Sequence, residues 1–411
     1  MAGSGSSRMT KNVAAGSESE AEIEGLLARI AQLRPLLREN GAQGEQDRRV
    51  PEESIDALRR VGALRVSVAK RYGGYDMGHG DAMRVGREVG RADGGTAWVV
   101  SLLNSGAWYT RQFSEQAQDD IFAENPDTLV SAVVAPTGTA RKVPGGYEVT
   151  GKWSYNSGSW HADWALVAVR LLNAEGEPAG EGQVLIPASD YVIEDVWRVA
   201  GMRSSGSNLL VADGAFVPEH RALVTVPADA AGGADGAAGD GADGAEPQYR
   251  AASVPLALLG PQLGLGRAIL DAVLLESGGR GVAYTSIERR ASWVPFQLDV
   301  ARAAQMLDTA DLFAESAAAY LDSLDLGAPV EYLERARVRG DVGWAVENVT
   351  GAIELLLSAS GSGAFADSNA VQRLWRDQAV VARHGYVSPP LALEIYGKAL
   401  LGEPNPMTVL I

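Results

Sequence analysis

The sequence predicts an α+β protein, mostly α, in which a helical domain, a small β-barrel or sandwich and a second helical domain follow one another along the chain. Apolar residues recur at helical spacing from about residue 20 to 125. Short runs rich in Val, Ile, Tyr and Trp, separated by Gly, Pro, Asn and Asp, then fill 126–227. Helical periodicity returns beyond a Gly/Ala/Asp stretch at 228–247 and covers 248–411. With 411 residues, 46% of them hydrophobic, the chain can build two or three sizeable cores.

Residues 1–19 are polar and small and read as a disordered tail, with neither a signal-peptide core nor an Arg-rich amphipathic pattern. Ile23, Leu26, Leu27, Ile30 and Leu33 then share one helix face, and Pro51 opens the next helix. After the Gly-rich connector RYGGYDMGHGD, helical periodicity resumes and completes the domain 20–125.

Six runs, from TLVSAVVA to NLLVADGAFVP, make the β-domain. In GYEVTGKWSY, Tyr147, Val149, Gly151, Trp153 and Tyr155 alternate onto one face. The same segment holds Gly146-x-x-x-x-Gly151-Lys152, one residue short of a phosphate-binding loop. Trp153 stands where magnesium needs Ser or Thr, and Lys152 falls mid-strand rather than at a strand-to-helix turn. The stretch 228–247 reads as a flexible loop. Gly264-x-Gly266 follows no strand and fits helix packing better than dinucleotide binding. Apolar residues around much of the circumference of the C-terminal helices predict contact with other subunits.

Composition removes several classes of function. Against 52 acidic residues stand 36 basic ones, a net charge of −16 with no basic cluster, which disfavours nucleic acid and anionic membranes. No stretch of eighteen or more apolar residues is present to span a bilayer, so the cytoplasm is the default location. The absence of Cys excludes disulfides, thiolate zinc sites and a Cys nucleophile, and His79, His161, His220 and His384 have no i, i+3 or i+4 pairing, so no metal is expected.

Three segments carry a family likeness: APTGTARKVPGGYEVTGKWSYNSGSWHADW (135–164), GRGVAYTSIERRASWVPFQLDVARAAQMLDTA (279–310) and VQRLWRDQAVVARHGYVSPPLALEIYGKALLG (371–402). With the domain order they resemble the acyl-CoA dehydrogenase superfamily and, within it, the group D two-component flavin-dependent monooxygenases. The resemblance implies a C-terminal four-helix bundle and a homotetramer. It also implies an oxygenase component that receives reduced flavin, FADH2 or FMNH2, from a separate NAD(P)H-dependent flavin reductase. With O2 and through a C4a-hydroperoxide, such a component hydroxylates a small aromatic or natural-product substrate.

The same resemblance assigns Ser157 to the flavin N5 region and His384 to the oxygenated flavin or substrate. Trp153, Tyr155 and Asn156 would wall the flavin ring, Pro136, Thr137 and Arg376 would contact the cofactor, and Arg280 would meet its phosphates across a subunit contact. Asn104 stands where several relatives carry a His. It joins Trp108, Tyr109, Met202, Arg203, Ser204, Ser205 and the residues up to Ser207 as candidates for the substrate pocket. From the residues alone, Trp153, Trp160 and Trp164 equally read as β-domain core, Ser157 as a turn residue and His384 as a helix cap. An acyl-CoA dehydrogenase remains the rival reading, with Glu394 the nearest acid to its required base, and a cofactor-free helical scaffold is the reading outside enzymology.

Overall fold

The structure, a computed structural model, describes residues 5–227, 245–279, 281–324 and 330–404. Helix α1 (Gly5–Asp47) begins inside the segment read as a tail; that segment contains no proline, and its Ala, Met, Lys and Glu residues favour helix. Ile23, Leu26, Ile30 and Leu37 of α1 are fully buried. Helix α2 (Glu52–Val61) starts after Pro51 and ends at Gly62, whose left-handed φ of 89° supplies the turn. The next periodic stretch divides into α3 (His79–Gly90) and α4 (Gly94–Thr110) because the Asp93 carboxylate accepts the Thr96 N–H at 2.9 Å and caps α4. Helix α5 (Glu115–Phe122) closes the domain.

The β-domain has seven strands rather than six: β1 (Val130–Val143), β2 (Gly146–Asn156), β3 (Trp164–Leu172), β4 (Pro178–Pro187), β5 (Val192–Glu194), β6 (Asn208–Pro218) and β7 (Ala222–Pro227). They form one sheet in the order β5-β6-β2-β1-β3-β4-β7, with β1 and β3 parallel and the other pairs antiparallel. Only three residues of the run YVIEDVWRV are strand. The Val196 and Trp197 N–H groups both donate to Asn208 Oδ1 at 3.0 Å, which turns the chain away from the sheet. Side chains of β1, β2, β3, β4 and β6 meet in one core around Trp153, Val167, Val184 and Leu210.

The alternation along β2 holds from Val149 to Trp153 and then breaks. Tyr155, expected inside, is 71% exposed, while Asn156 is buried. The cause is a left-handed Tyr155, φ 63°, together with a register shift against β6 between Trp153 and Asn156. This irregularity sends the following Ser157 towards the helices instead of into the sheet core.

Beyond the β-domain, α6 (Ala245–Glu276), α7 (Val294–Asp322) and α8 (Tyr332–Ser360) pack on one another. The shorter α9 (Ala370–Val381) lies on α6, and α10 (Pro389–Leu401) on α8, so five described helices form the C-terminal bundle where four were expected. Helix α6 crosses α3 at a glycine contact, where a Cβ on Gly264 would sit 2.3 Å from the Arg87 carbonyl oxygen and one on Gly260 2.5 Å from that of Met83. Close helix packing is thus the use made of the Gly264 position. One described helical stretch, Val254–Glu276, has the length and apolarity to cross a membrane, and 72% of its apolar window is buried inside the protein, as a core helix requires.

Candidate functional site: a cavity between the sheet and the helices

The broken end of β2 opens onto a cavity of about 500 Å³ enclosed by α4, α6, β1, the 197–207 loop and the end of α9. That volume lies in the range of small-molecule sites, about 300–1,000 Å³. At β1 the ladder to β3 shifts register between Val133 and Gly138, so Val133, Val134 and Ala135 bulge towards the cavity.

The β-side wall is built of hydroxyl groups. Ser157 Oγ and Ser207 Oγ are 2.6 Å apart, and Ser207 Oγ and Ser205 Oγ 2.7 Å. Trp98 of α4 donates its Nε1–H to Ser157 Oγ at 3.2 Å. The backbone fixes this arrangement, since Gly158 N–H donates to the Ser205 carbonyl at 3.0 Å and Ser157 N–H to that of Tyr155 at 2.9 Å. All four side chains are buried apart from the surface they offer the cavity. Tyr155 and Trp197 meet edge to face at 6.0 Å, also on the lining.

The helical wall carries His384, three residues past the end of α9. Its ring lies edge-on to Trp98 at 5.8 Å and stacks with Tyr386 at 5.9 Å. The Tyr386 N–H donates to His384 Nδ1 at 3.3 Å, which leaves the proton of the neutral ring on Nε2. His384 keeps accessible surface and lines the cavity, while Trp98 and Tyr386 pack against its ring. Burial, reinforced by the Arg339 guanidinium, lowers its pKa to about 4. Arg339 of α8 donates to the Gly385 carbonyl at 2.9 Å and lies over the Tyr386 ring at 5.3 Å. Burial also pushes the Tyr386 hydroxyl up to about 12.

Ser157, His384, Tyr155, Tyr109, Met202 and Ser205 therefore share one cavity. Other candidates go elsewhere. Trp153 is wholly buried in the sheet core, its Nε1–H donating to the Ala168 carbonyl at 2.7 Å, and Gly138 and Gly151 leave room for its ring; it is a packing residue and not a cavity wall. Asn156 is buried beside β6 rather than on the lining. Pro136 and Thr137 lie within the same irregular stretch of β1 but outside the lining, with Thr137 Oγ1 donating to the Lys152 carbonyl at 2.7 Å.

Asn104 is a structural clasp in place of a pocket residue: it accepts the Val66 N–H at 3.0 Å and donates to the Ala63 and Val100 carbonyls at 2.9 and 3.0 Å. Trp108 packs edge-on against His79 at 4.8 Å around a separate small void. Arg203 ties the 197–207 loop to the Glu45 carbonyl at 3.1 Å, and Ser204 is buried against Gly95. Arg376 pairs with Glu45 at 2.5 Å and donates to the Ala200 carbonyl, while Asp377 accepts the Met202 N–H; burial and the neighbouring Asp93 raise the Asp377 pKa. The Arg376-Asp377 pair thus holds the loop that presents Met202 and Ser205. Arg280 lies outside the described residues. Trp98, Ser207, Trp197, Tyr386 and Arg339 complete the site. Of these, Ser207 is itself a sequence candidate, Tyr386 stands close in sequence to one, and the others gave no local signal.

Two family profiles match, the acyl-CoA dehydrogenase N-terminal domain over residues 29–123 and the acyl-CoA dehydrogenase C-terminal domain over 256–389. The flavin-dependent monooxygenase oxygenase subunit HsaA of Rhodococcus jostii (strain RHA1) is 32% identical over 391 residues, covering 92% of this chain and 98% of that protein. The oxygenase component of FADH2-dependent resorcinol hydroxylase from Rhizobium sp. (strain MTP-10005) is 33% identical, covering 92% and 95%. Among solved structures, XiaF from Streptomyces sp. in complex with FADH2 and glycerol superposes with a TM-score of 0.86 at 31% identity, covering 95% of this chain and 98% of that one. Fold and profiles define an acyl-CoA dehydrogenase-fold protein. Within that superfamily, the chain belongs to the flavin-dependent monooxygenases, as an oxygenase component of the two-component kind.

Proposed function

We propose that the cavity receives the ring system of a reduced flavin, FADH2 or FMNH2, beside a small aromatic substrate, and that the chain hydroxylates that substrate with O2. One observation carries this reading: Ser157 and His384 face a single cavity whose described lining contains hydroxyl, indole and imidazole groups but no carboxylate. A dehydrogenase needs a carboxylate there to remove a proton, and Glu394 is on exposed α10, paired with Lys398 at 2.6 Å. The donor set suits a flat heteroaromatic ring, with indole faces to stack on and hydroxyls at one edge.

When bound, reduced flavin supplies two electrons to O2, one oxygen atom entering the substrate and the other leaving as water. The residues of the chain arrange that chemistry. Ser157 bonds the flavin edge, Trp98 holds Ser157 in place, and the aromatic rim of Tyr155 and Trp197 keeps water out. His384, neutral above about pH 4, holds a proton at Nε2 and can donate it as a hydrogen bond to an oxygen on the flavin or substrate. Arg383 is the one formally charged side chain on the described lining at neutral pH, placed to meet a phenolate or carboxylate of the substrate. Two relatives are named for hydroxylating resorcinol and p-hydroxyphenylacetate, which supports an aromatic substrate.

A separate NAD(P)H-dependent reductase in the cytoplasm would supply the reduced flavin. Exposed apolar residues on the bundle, including Leu275, Leu312, Leu400 and Leu401, support assembly as a homotetramer, which sedimentation equilibrium checks. The catalytic test mixes chain and anaerobically reduced flavin with ¹⁸O2 and a panel of phenols. The reading expects one labelled oxygen in product and oxidised flavin that exchanges freely. Stoichiometric oxidised FAD that an acyl thioester reduces would establish the dehydrogenase instead.

A further inference from the structure

The hydroxyl chain on the β-side wall has a property that a lone serine lacks. Ser157, Ser207 and Ser205 bring three protons to two oxygen–oxygen links of 2.6 and 2.7 Å. A hydroxyl donates once and accepts twice. One proton is therefore left over, and it emerges at Ser157, Ser205 or Ser207, all of which line the cavity. Trp98 can only donate, so it occupies one lone pair of Ser157 permanently at 3.2 Å.

For Ser157 these constraints define two polarities. Running outward, Ser205 donates to Ser207 and Ser207 to Ser157. Both lone pairs of Ser157 are then filled, and its proton must point to an acceptor in the cavity. Running inward, Ser157 donates to Ser207, whose own proton goes to Ser205 or into the cavity, and one lone pair of Ser157 is free to accept from a donor in the cavity.

We propose that Ser207 and Ser205 are positioning residues that let Ser157 reverse between donor and acceptor, matching the two redox states of a flavin. The N5 atom of an oxidised flavin bears a lone pair and asks for a donor, whereas N5–H of the reduced ring asks for an acceptor. The inference rests on the reading that Ser157 faces that edge of the flavin. A fixed donor would favour the oxidised state, but a reversible chain serves both, as an oxygenase that takes reduced flavin and releases oxidised flavin requires. No covalent bond changes in the reversal, since each hydroxyl only rotates its proton.

The test is the ratio of dissociation constants for oxidised and reduced FAD, measured by fluorescence titration and by anaerobic titration, in the full-length protein. Ser207→Ala removes the acceptor that Ser157 needs when running inward, so reduced FAD should lose about tenfold or more in affinity relative to oxidised FAD, the scale of one buried hydroxyl left without its partner. Ser205→Ala, one step further along the chain, should shift the ratio the same way but less. Ser207→Thr keeps the hydroxyl and should restore the ratio. Ser189→Ala, an exposed surface serine away from the lining, should leave it unchanged. If Ser207→Ala folds poorly, Ser205→Ala against Ser207→Thr carries the comparison. Equal loss of both redox states in Ser207→Ala and Ser205→Ala, or no loss in either, would overturn the reversible chain while leaving flavin at Ser157 intact. If the wild type binds neither form, or Ser157→Ala leaves both affinities unchanged, the flavin assignment falls and the chain's role falls with it.

Discussion

The two walls of the cavity are held in different ways. On the β side, Ser157, Ser205 and Ser207 are linked to one another and to Trp98 by short hydrogen bonds, on backbone that is itself tied between the 155–158 and 205–208 turns. On the helical side, His384 is placed mainly by ring contacts with Trp98 and Tyr386 and by the enclosure that depresses its pKa. Two residues that do not touch the cavity stand behind the β wall: Trp153 in the sheet core, and Asp377, which accepts from Met202 beneath the loop that carries Ser205 and Ser207. The difference teaches that the β wall is specified by geometry and the helical wall by environment. Substitutions should therefore act on hydrogen bonding in one and on protonation in the other.

The largest effect should come from behind the β wall. Trp153→Ala should cost about 3–5 kcal/mol in chemical denaturation, as large aromatic truncations in cores do, whereas Trp153→Phe should fold and bind flavin normally. Altered flavin affinity in a fully stable Trp153→Phe would return this residue to the cavity wall. Next in size, His384→Ala should lower product formation roughly 10²-fold while flavin binding persists. Quenched-flow product analysis checks it, and loss of binding alone would make the helical wall a mere platform.

Ser157→Ala should raise peroxide release over product by about tenfold, the scale of a lost buried hydrogen bond of about 1–1.5 kcal/mol; quantifying both species decides it. The electrostatic prediction is smaller. His384 titrates at about 4 instead of near 6.5, so the folded state binds fewer protons than the unfolded chain between those values. Its contribution to stability is present above about 6.5 and is lost as the pH falls through 4. NMR titration of its ring should show that low value, and Arg339→Met should move it upward by removing the smaller of the two causes, leaving burial in force. An unmoved value would confine Arg339 to structural support of Gly385 and Tyr386. Last, Lys152→Ala should leave stability and flavin affinity unchanged, because Lys152 is exposed and only loosely paired with Glu194 at 3.8 Å.

Most of the architecture was legible because it is written locally. Ile23, Leu26 and Ile30 declare a buried helix face, Pro51 and Gly62 mark ends, and runs such as GYEVTGKWSY alternate. The lining was legible at Ser157 and His384, where the family motif reached it, and in part at Tyr109, Tyr155, Met202, Ser205 and Ser207. Tyr155 misled the alternation because a left-handed φ cannot be read from period-2 spacing. Arg376 and Arg203 looked like ligand contacts, but their backbone acceptors, at Ala200 and Glu45, come from remote segments. Trp98 had no local signal, since it matters through a partner fifty-nine residues away.

By itself the sequence determined the element types, the three-part order, the exclusion of Cys chemistry and the family to which the chain belongs, because these follow from periodicity, composition and motif. Only the tertiary structure decided which side chains share the cavity, that Trp153 belongs to the core, that no carboxylate stands on the described lining, and that three serines form one chain. Those outcomes depend on a bulge in β1, the irregular end of β2, and a loop drawn in by Asp377 and Arg376. Each is a long-range hydrogen-bonding solution that fixes direction within a few ångströms, a scale at which residue identity along the chain carries no information.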